Sequence, residues 1–458
     1  MRYRPDPDGP ALLEVNTLVW LKEQQQHLDS LGLDELRVLT RNRDWLWLMG
    51  VWERSSASRA IALAHPGLQQ EFRHALPDYT PADVVGSAYA IRSYTVDPAL
   101  GTSTGLSNLR GLLGELGVGL VLDFIPNHCA VDHPWTTLHP DWFIQADEAA
   151  HRQWPEKYFR VGKKVLAHGK DPYFAPWTDT AQFDYANPQL RSAIIEDLLA
   201  VASQCDAVRC DMAMLLLRHI FRRTWQRDPL VEFWSEAIAT VKAYYPKFRF
   251  VAEVYWGLEW TLMELGFDYC YDKTLYDRLR QRDARGVAAH LQADIHFSSR
   301  VVRFVENHDE PRALSVFGEN WWGAALLCAT VPGAYLEHLN QGERTARNPV
   351  QLARAQIEPP ALDAHLYLEW LAGFRSTLGS EFEVYPCMHP QVVGYRRGEY
   401  EFFINLSGQS VDLPTHSGSR TLAAFGALIL HPSHTQAASP LLAAPVNQPD
   451  WLTVLPVA

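Results

Sequence analysis

The sequence has no long hydrophobic run. Its longest apolar stretch, Gly323–Leu336, is interrupted by Pro332 and is shorter than the roughly 20 residues that a membrane-spanning helix requires. The opening residues, MRYRPDPDGP, contain no apolar segment of the kind found in a secretory signal peptide. We therefore expect neither a membrane partner nor an export signal.

Clustered cysteines are also missing. The six cysteines form no CxxC pair and no regular framework: Cys129, Cys205, Cys210, Cys270, Cys328 and Cys387. Several stand inside apolar runs, where an unpaired cysteine behaves as a small hydrophobic residue. Because disulfides persist mainly in oxidising compartments, this usage predicts reduced thiols and a cytoplasmic location.

The chain also lacks an excess of positive charge. The chain has 41 Lys and Arg against 53 Asp and Glu, which gives a formal net charge of −12. Nucleic acids and anionic membrane surfaces both attract basic faces. The charge balance therefore argues against either of them as the main partner.

The composition that remains is typical of a folded globular protein. The chain has 458 residues, of which 47% are hydrophobic and 21% charged, so it is long enough for about three domains or one large barrel with additions. Aromatic residues make up 12%, including 16 Trp. Such an excess fits a protein that stacks rings against sugars, although a tryptophan-rich core would give the same composition.

Short apolar runs alternate with longer amphipathic segments. Eight runs are candidate strands: Leu12–Leu21, Trp45–Trp52, Val118–Ile125, Ala207–Ala213, Arg249–Val254, Phe267–Tyr271, Val301–Val305 and Ala334–Leu339. Helical patterns lie between them, for example Leu106–Leu116, Gln189–Gln204 and Leu230–Tyr245. Alternation of this kind indicates a parallel sheet, and about eight units favour a closed (β/α)₈ TIM barrel over an open doubly wound sheet.

Two regions interrupt the alternation. The segment from His128 to Pro188 is rich in Pro, Trp, Asp and His and has no clear period, which predicts an insertion after the third strand. After Ser380, short alternating runs separated by turn residues predict a small all-β domain. The predicted domains are a barrel formed by residues 1–128 and 189–380, an inserted domain at 129–188, and a C-terminal β domain at 381–458.

Three candidate strands lead into carboxylates. Asp211 ends the fourth, Glu253 ends the fifth and Asp309 follows the seventh. In a barrel all three would gather at the C-terminal face, where barrel active sites lie. A single acid at a strand end is more often a helix cap or a surface charge, but three on well-spaced strands suit glycoside cleavage, which uses paired carboxyl groups.

The neighbours of these acids support the same chemistry. Arg209 lies two residues before Asp211 and so points to the same side of the strand, where a guanidinium would keep the carboxylate ionised. Glu253 stands between Ala252 and Val254, an apolar setting that would raise its pKa and suit it to act as an acid.

Four short motifs occur in a fixed order. They are DFIPNH at Asp123–His128, VRCD at Val208–Asp211, Glu253 within FVAEVYW, and NHD at Asn307–Asp309. In order, strand context and residue identity, the chain resembles glycoside hydrolase family 13, the α-amylase family. The resemblance extends from about Leu12 to Gly379, and a β domain is expected after it.

The resemblance implies roles for individual residues. Asp211 would be the nucleophile, Glu253 the general acid/base, and Asp309 the third carboxylate, which holds ring hydroxyls. The substrate-binding residues would be Tyr89, Asp123, His128, Arg209 and His308, with Tyr89 as a stacking ring. Gln182-Phe183-Asp184 resembles a weaker fifth motif. Some members bind structural Ca²⁺ through residues like Asn127, but no oxygen cage can be assembled from this sequence, so we expect no metal ligands and no cofactor.

Two departures from the family pattern leave the activity open. Many amylases carry Lys-His shortly after the nucleophile, where this chain has Met214-Leu215, and Glu310 follows Asp309 as it does in some glucosidases and glucan-rearranging enzymes. The leading hypothesis is a retaining hydrolase of α-glucosidic bonds in maltooligosaccharides or α-glucans. The alternative is a glucan transglycosylase or a trehalose-forming isomerase. A non-catalytic binding protein is disfavoured because all three acids are present. The sequence does not predict substrate length, linkage or oligomeric state.

Overall fold

A closed barrel of eight parallel strands occupies the centre of the protein. The computed structural model describes residues 9–358, 362–386, 389–415, 418–432 and 452–457. The barrel strands are β1 (Ala11–Asn16), β2 (Trp45–Met49), β3 (Gly119–Phe124), β4 (Ala207–Cys210), β5 (Arg249–Ala252), β6 (Tyr269–Tyr271), β7 (Val301–Arg303) and β8 (Ala334–His338). Each strand pairs with its neighbours in sequence, and β1 closes the barrel against β8. This confirms the predicted (β/α)₈ fold.

Every predicted strand is present, but seven of the eight end one to five residues earlier than predicted, and the cause is clearest in the first two. The run Leu12–Leu21 was expected to be a single strand, whereas the strand stops at Asn16. There the Asn16 side chain accepts a hydrogen bond from the Val19 amide at 3.3 Å and starts the helix Thr17–Glu23. The second run is broken at Gly50, whose φ of +77° turns the chain away.

Helices surround the barrel, as the amphipathic segments predict. Those of the barrel are Thr17–Glu23, Leu33–Leu39, Ser103–Glu115, Pro188–Ala202, Arg218–Trp225, Phe233–Tyr244, Glu259–Glu264, Lys273–Arg280, Ala284–Leu291, Ile295–Ser298, Ala313–Phe317, Trp321–Thr330 and Leu362–Arg375. Short 3₁₀ turns lie at Leu28–Ser30, Ala213–Leu216 and Gly318–Asn320. In the residues that the structure describes, no helix is both long and apolar enough to cross a membrane.

An excursion between β2 and β3 adds to one end of the barrel. It contains the strands Trp52–Arg54 and Ile91–Val96, which pair antiparallel, and the helices Ser56–Ala64 and Pro66–Ala75. This segment supplies Ser87 and the predicted stacking residue Tyr89 to the wall of the cavity described below.

The insertion after β3 has its own small sheets. His128–Ala130 pairs antiparallel with Thr180–Gln182, and Gln145–Ala146, Lys164–Ala167 and Tyr158–Val161 form a three-stranded sheet. Helices run over Pro134–Leu138 and Glu148–Gln153, with a 3₁₀ turn at Pro140–Trp142. The first sheet begins at His128, so it extends directly from the C-terminal end of β3.

A domain of mainly antiparallel strands follows the barrel, with one parallel pair between its last two strands, and confirms the predicted all-β domain. Its strands are β9 (Phe382–Val384), β10 (Val392–Arg397), β11 (Tyr400–Asn405), β12 (Val411–Thr415), β13 (Gly418–Leu422), β14 (Ala427–Pro432) and β15 (Leu452–Val457). Five of them form a sheet in the order β9-β10-β11-β14-β15, and β12 pairs with β13. Apolar side chains of this sheet share a core with the last barrel helices. Cys387 lies outside the described residues.

Candidate active site

The charged residues predicted from the motifs meet at the C-terminal end of the barrel. Parallel pairing sets Arg209 of β4 beside Asp123 of β3 and Val251 of β5. Because side chains alternate along a strand, Arg209 and Asp211 point to the same side. Glu253 directly follows β5, and Asp309 lies on the loop after β7. The fold thus brings together residues that are far apart in sequence.

Arg209 is the centre of this cluster. Its Nη1 atom lies 2.8 Å from Oδ1 of Asp211, and its Nη2 atom lies 2.8 Å from Oε2 of Glu253. Two further carboxylates, Asp123 and Asp309, each have an oxygen 3.8 Å from the same guanidinium. The Arg209 side chain is 1% exposed. A single buried cation therefore orients four acids and compensates part of their charge.

Burial dominates the titration of Asp211. It raises the pKa of this carboxyl to about 7, although Arg209 lowers it; the neighbouring Glu253 raises it further. The predicted contact with Arg209 is present, but the net direction is opposite to the one expected from the sequence.

Glu253 lies in a polar setting, so the prediction of apolar surroundings is wrong. Besides Arg209, its carboxylate accepts hydrogen bonds from the Tyr255 hydroxyl at 2.7 Å and from the Met212 amide at 2.7 Å. Ala252 and Val254 alternate with Glu253 along the chain, which directs them to the opposite face, whereas Tyr255 shares its side. Met212 reaches Glu253 from a left-handed backbone conformation, with φ of 45°.

Asp309 is the most accessible of the three acids. Its side chain is 41% exposed, and Oδ2 lies 3.0 Å from Nε2 of His308. The Asn307 side chain accepts a hydrogen bond from the Asp309 amide at 2.9 Å and so fixes the loop. Burial raises the pKa of Asp309, but His308 and Arg209 outweigh it and hold the pKa below its ordinary value.

His308 is buried among acidic and aromatic groups. Its Nδ1 atom bonds Oε1 of Glu14, and its ring stacks on Tyr89 with centroids 5.2 Å apart. Burial lowers the pKa of His308, but Asp309 and Glu14 outweigh it and raise the pKa to about 10. Sequence reasoning missed Glu14. The available signal was a single carboxylate within an otherwise apolar barrel strand, ALLEVN.

A cavity of about 310 Å³ opens above the cluster. Of the eight predicted site residues, five line it: Tyr89, His128, Asp211, Glu253 and Asp309. The wall is completed by residues that were not among the predicted site residues: Ser87, Trp177, Asp179, Thr180, Met212, Tyr255 and Gln351. The cavity has the size of a small-ligand site and combines aromatic rings with convergent polar groups.

Asp123, Arg209 and His308 lie behind this wall instead of lining it. Asp123 accepts a hydrogen bond from the Gly50 amide at 2.8 Å and faces the Tyr89 hydroxyl at 3.4 Å. Burial raises the pKa of Asp123. The sequence placed these three residues among those that bind substrate, but their positions suit them to orient the lining residues.

His128 and Trp177 form one side of the cavity. The His128 Nε2 atom lies 3.0 Å from the Tyr89 carbonyl oxygen, and burial lowers the pKa of His128 to about 4, so its ring is neutral. Its centroid is 5.1 Å from that of Trp177. Other tryptophans of the insertion have a different use: Trp135 packs edge-on against Trp142 at 4.9 Å and holds the segment together.

The residues that suggested a calcium site are already engaged. The Asn127 side chain exchanges hydrogen bonds with Gln182, from Nδ2 to Oε1 at 3.2 Å and from Nε2 to Oδ1 at 3.1 Å. Across the described ranges, no three His, Cys, Asp or Glu side chains are grouped so that they could hold a metal ion. The Asn127 Oδ1 atom already accepts a hydrogen bond from Gln182, which ties the segment after β3 to the strand Thr180–Gln182 of the insertion.

The positions that depart from the family pattern lie away from the cavity wall. Met214 and Leu215 are buried in the barrel core, within the turn Ala213–Leu216. Glu310 has an oxygen 3.4 Å from Nζ of Lys273, on the helix after β6. Neither departure therefore alters the three acids.

A known protein family matches the part of the chain that contains the four motifs. The family model described as "Alpha amylase, catalytic domain" matches residues 78–342, which is more than half of the chain. The chain belongs to the α-amylase family. This assignment confirms the resemblance carried by the four motifs.

Relatives of this α-amylase-family protein include hydrolases and transferases by name. It is 26% identical over 302 residues to alpha-amylase MalA of Haloarcula japonica, covering 58% of this chain and 40% of that protein. It is 30% identical over 178 residues to the alpha-1,4-glucan:maltose-1-phosphate maltosyltransferase of Rhodospirillum rubrum, covering 38% and 22%. The chain thus spans less than half the length of either relative.

Solved structures share the fold. An α-amylase from Lactobacillus plantarum superposes with a TM-score of 0.68 at 19% identity, covering 93% of this chain and 99% of the other. A cyclic α-maltosyl-(1→6)-maltose hydrolase from Arthrobacter globiformis gives 0.67 at 14% identity, covering 93% and 100%. At these identities the likeness concerns architecture, and it extends over the barrel and the β domain together.

Proposed function

We propose that this α-amylase-family protein is a retaining enzyme that acts on α-glucosidic bonds of maltooligosaccharides or α-glucans. The observation that supports this most directly is the Arg209 guanidinium, which holds Asp211 and Glu253 at 2.8 Å each on the wall of one cavity. Retaining chemistry needs two carboxyl groups about 5–5.5 Å apart, and a shared guanidinium favours such close spacing.

The first step would be formation of a glycosyl-enzyme. Glu253 gives its proton to the bridging oxygen as the glycosidic bond breaks, and Asp211 forms a bond to the anomeric carbon from the opposite side. Arg209 and the Met212 amide both face Oε2 of Glu253. The proton is therefore best carried on Oε1, the oxygen 2.7 Å from the Tyr255 hydroxyl.

The second step would release the sugar. Glu253, now ionised, removes a proton from an incoming hydroxyl, whose oxygen attacks the anomeric carbon and displaces Asp211. Asp309, as the most exposed of the three acids, would hold ring hydroxyls during both steps. Two inversions leave the anomeric configuration unchanged.

Water is the acceptor in the leading proposal, and a sugar hydroxyl is the acceptor in the alternative. The alternative is a glucan transglycosylase or a trehalose-forming isomerase. It is motivated by the absence of the Lys-His pair, replaced here by the buried Met214-Leu215, by Glu310 after Asp309, and by relatives named as maltosyltransferases. Product analysis on maltotriose separates the two: new reducing ends mean hydrolysis, and redistribution of chain length with constant reducing ends means transfer.

Replacing Asp211→Asn tests the nucleophile. We expect turnover to fall by at least about 10³-fold, since an amide cannot form the ester. Asp34→Asn, a change at a surface acid that is 91% exposed and pairs with Arg37 on the same helix, is the control and should leave turnover unchanged. Circular dichroism of both variants establishes that the fold is intact. A folded Asp211→Asn protein that retains substantial turnover would remove Asp211 from this role.

We further propose a cytoplasmic protein whose activity needs no metal or cofactor. The five cysteines of the described ranges are unpaired and buried, which suits a reducing compartment. The engaged Asn127–Gln182 pair argues against a calcium requirement. Fractionation of the native cells and activity after dialysis against a chelator test these two points.

A further inference from the structure

Glu14 is a buried carboxylate to which no motif assigns a role. It lies on β1, its side chain is 0% exposed, and it stands at the C-terminal half of an apolar strand. Oε1 bonds Nδ1 of His308, and Oε2 lies 3.1 Å from Nδ1 of His338 on β8. A carboxylate this deeply buried is tolerated only where partners compensate its charge. Its two partners are the histidines.

The geometry around His308 fixes its protonation. Nδ1 faces the Glu14 carboxylate, while Nε2 lies 3.0 Å from Oδ2 of Asp309 and 2.8 Å from the Tyr89 hydroxyl. A neutral imidazole has one N–H and one lone pair, so one ring nitrogen would direct a lone pair at a carboxylate. An imidazolium donates from both nitrogens and satisfies both acids.

The remaining groups around the pair determine which histidine takes the proton. Burial lowers the pKa of His338, and the nearby Arg312 opposes its protonation, so His338 stays neutral. The titratable groups that interact with His308 are Glu14 on β1, Tyr89, Asp123 on β3, His338 on β8, and Asp309 on its own loop. The two close carboxylates, one on each ring nitrogen, favour the charged form of His308.

We propose that Glu14 is a positioning residue: it holds His308 as an imidazolium whose second N–H orients Asp309 at the cavity wall. The inference rests on the proposed function, because Asp309 is there assigned to hold the sugar ring. It adds a residue of β1, opposite the strands that carry the nucleophile and the acid, to the machinery of the site.

Titration of His308 by NMR is the direct test, and it needs no substrate. The ¹⁵N-labelled protein is followed from pH 5 to 10.5, and the His308 resonances are identified by their loss in His308→Gln. In the wild type we expect His308 to remain charged at pH 8. In Glu14→Gln, which keeps the size and removes the charge, the titration should move at least two pH units towards the ordinary histidine range near 6.5.

Kinetics then show whether this charge matters to the reaction. In Glu14→Gln, kcat should fall at least tenfold relative to the wild type at pH 8 and much less at pH 6, where His308 regains its proton. Glu337→Gln is the matched control, because Glu337 is also buried, lies on the adjacent strand β8 and is paired with Arg43 at 2.7 Å. It should lower stability and leave both the His308 titration and the pH dependence of kcat unchanged.

The outcomes are separable. A wild-type His308 that is neutral at pH 8, or a titration unaffected by Glu14→Gln, overturns the inference. If Glu14→Gln does not fold, the wild-type titration and Glu14→Asp, which keeps the charge, decide the question. Should His308 titrate as expected in a protein that cleaves or transfers no glucan, the proposed function fails while the coupling of Glu14 to His308 stands.

Discussion

Removing the Arg209 charge should destabilise the protein in a pH-dependent way. Arg209→Met retains much of the side-chain volume but leaves Asp211 and Glu253 without the cation that lies 2.8 Å from each. Breaking a buried ion pair from one side costs about 3–5 kcal/mol, since the surviving charge loses its compensation. We therefore expect the free energy of unfolding at pH 8 to fall by about that amount.

The sign of the pH dependence follows from the same contact. Without Arg209, burial raises the pKa of the nearby carboxyls in the folded state above their values in the unfolded chain. The variant therefore loses most free energy of unfolding at a pH where these acids are ionised in the unfolded chain. The deficit should therefore shrink as the pH falls from 8 to 5. Urea denaturation at both pH values measures it, and turnover should be lost throughout.

Arg303→Met is the matched control for this experiment. Arg303 is also 1% exposed, but it pairs with Asp272 at 3.2 Å, away from the cavity wall. It should lower stability and spare kcat. If Arg209→Met loses less than about 1 kcal/mol, or loses the same amount at pH 5 and pH 8, then the electrostatic account of the cluster is wrong.

Three further predictions concern the cavity. Tyr255→Phe removes the hydroxyl that is 2.7 Å from Glu253. We expect kcat to fall roughly tenfold, since a hydrogen bond to a charged group contributes ~1.5 kcal/mol. An unchanged kcat would show that this hydrogen bond does not matter to the reaction. Trp177→Ala removes an aromatic ring beside His128 from the cavity wall. It should raise KM for maltotriose more than it lowers kcat, because the ring would bind the substrate and the transition state equally well. An effect on kcat alone would instead assign Trp177 to the reacting centre. Dialysis against EDTA should leave activity and Tm unchanged, because the Asn127 amide is engaged by Gln182, and recovery of lost activity by added Ca²⁺ would show that a site was overlooked.

The barrel could be predicted from the sequence because each strand is a short apolar run, but the ends of the strands could not. The first run continues through Leu18 to Leu21 without a change of hydrophobicity, and only the Asn16 cap converts it to a helix. Capping is a matter of one side chain and its local geometry, so an apolar pattern does not reveal it.

The active site, too, could be predicted only in part. Asp211, Glu253 and Asp309 were predicted because each stands in a short motif. Glu14 lies outside these motifs, and its relevance arises from a contact between β1 and the loop after β7 that the order of residues does not express. Tyr255 stands two residues after Glu253 within FVAEVYW, but no role was predicted for its hydroxyl. The surroundings of Glu253 were mispredicted for a related reason: adjacent residues of an extended chain point to opposite faces.

The concentration of acids around Arg209 has a consequence for inhibitor design. Four carboxyl groups have an oxygen within 3.8 Å of the Arg209 guanidinium, so acidic groups outnumber this cation at the base of the cavity. In a partly buried cavity of low dielectric, the attraction between opposite charges is stronger than in bulk water. Ring analogues that carry a positive nitrogen should therefore gain affinity here over neutral sugars of identical outline.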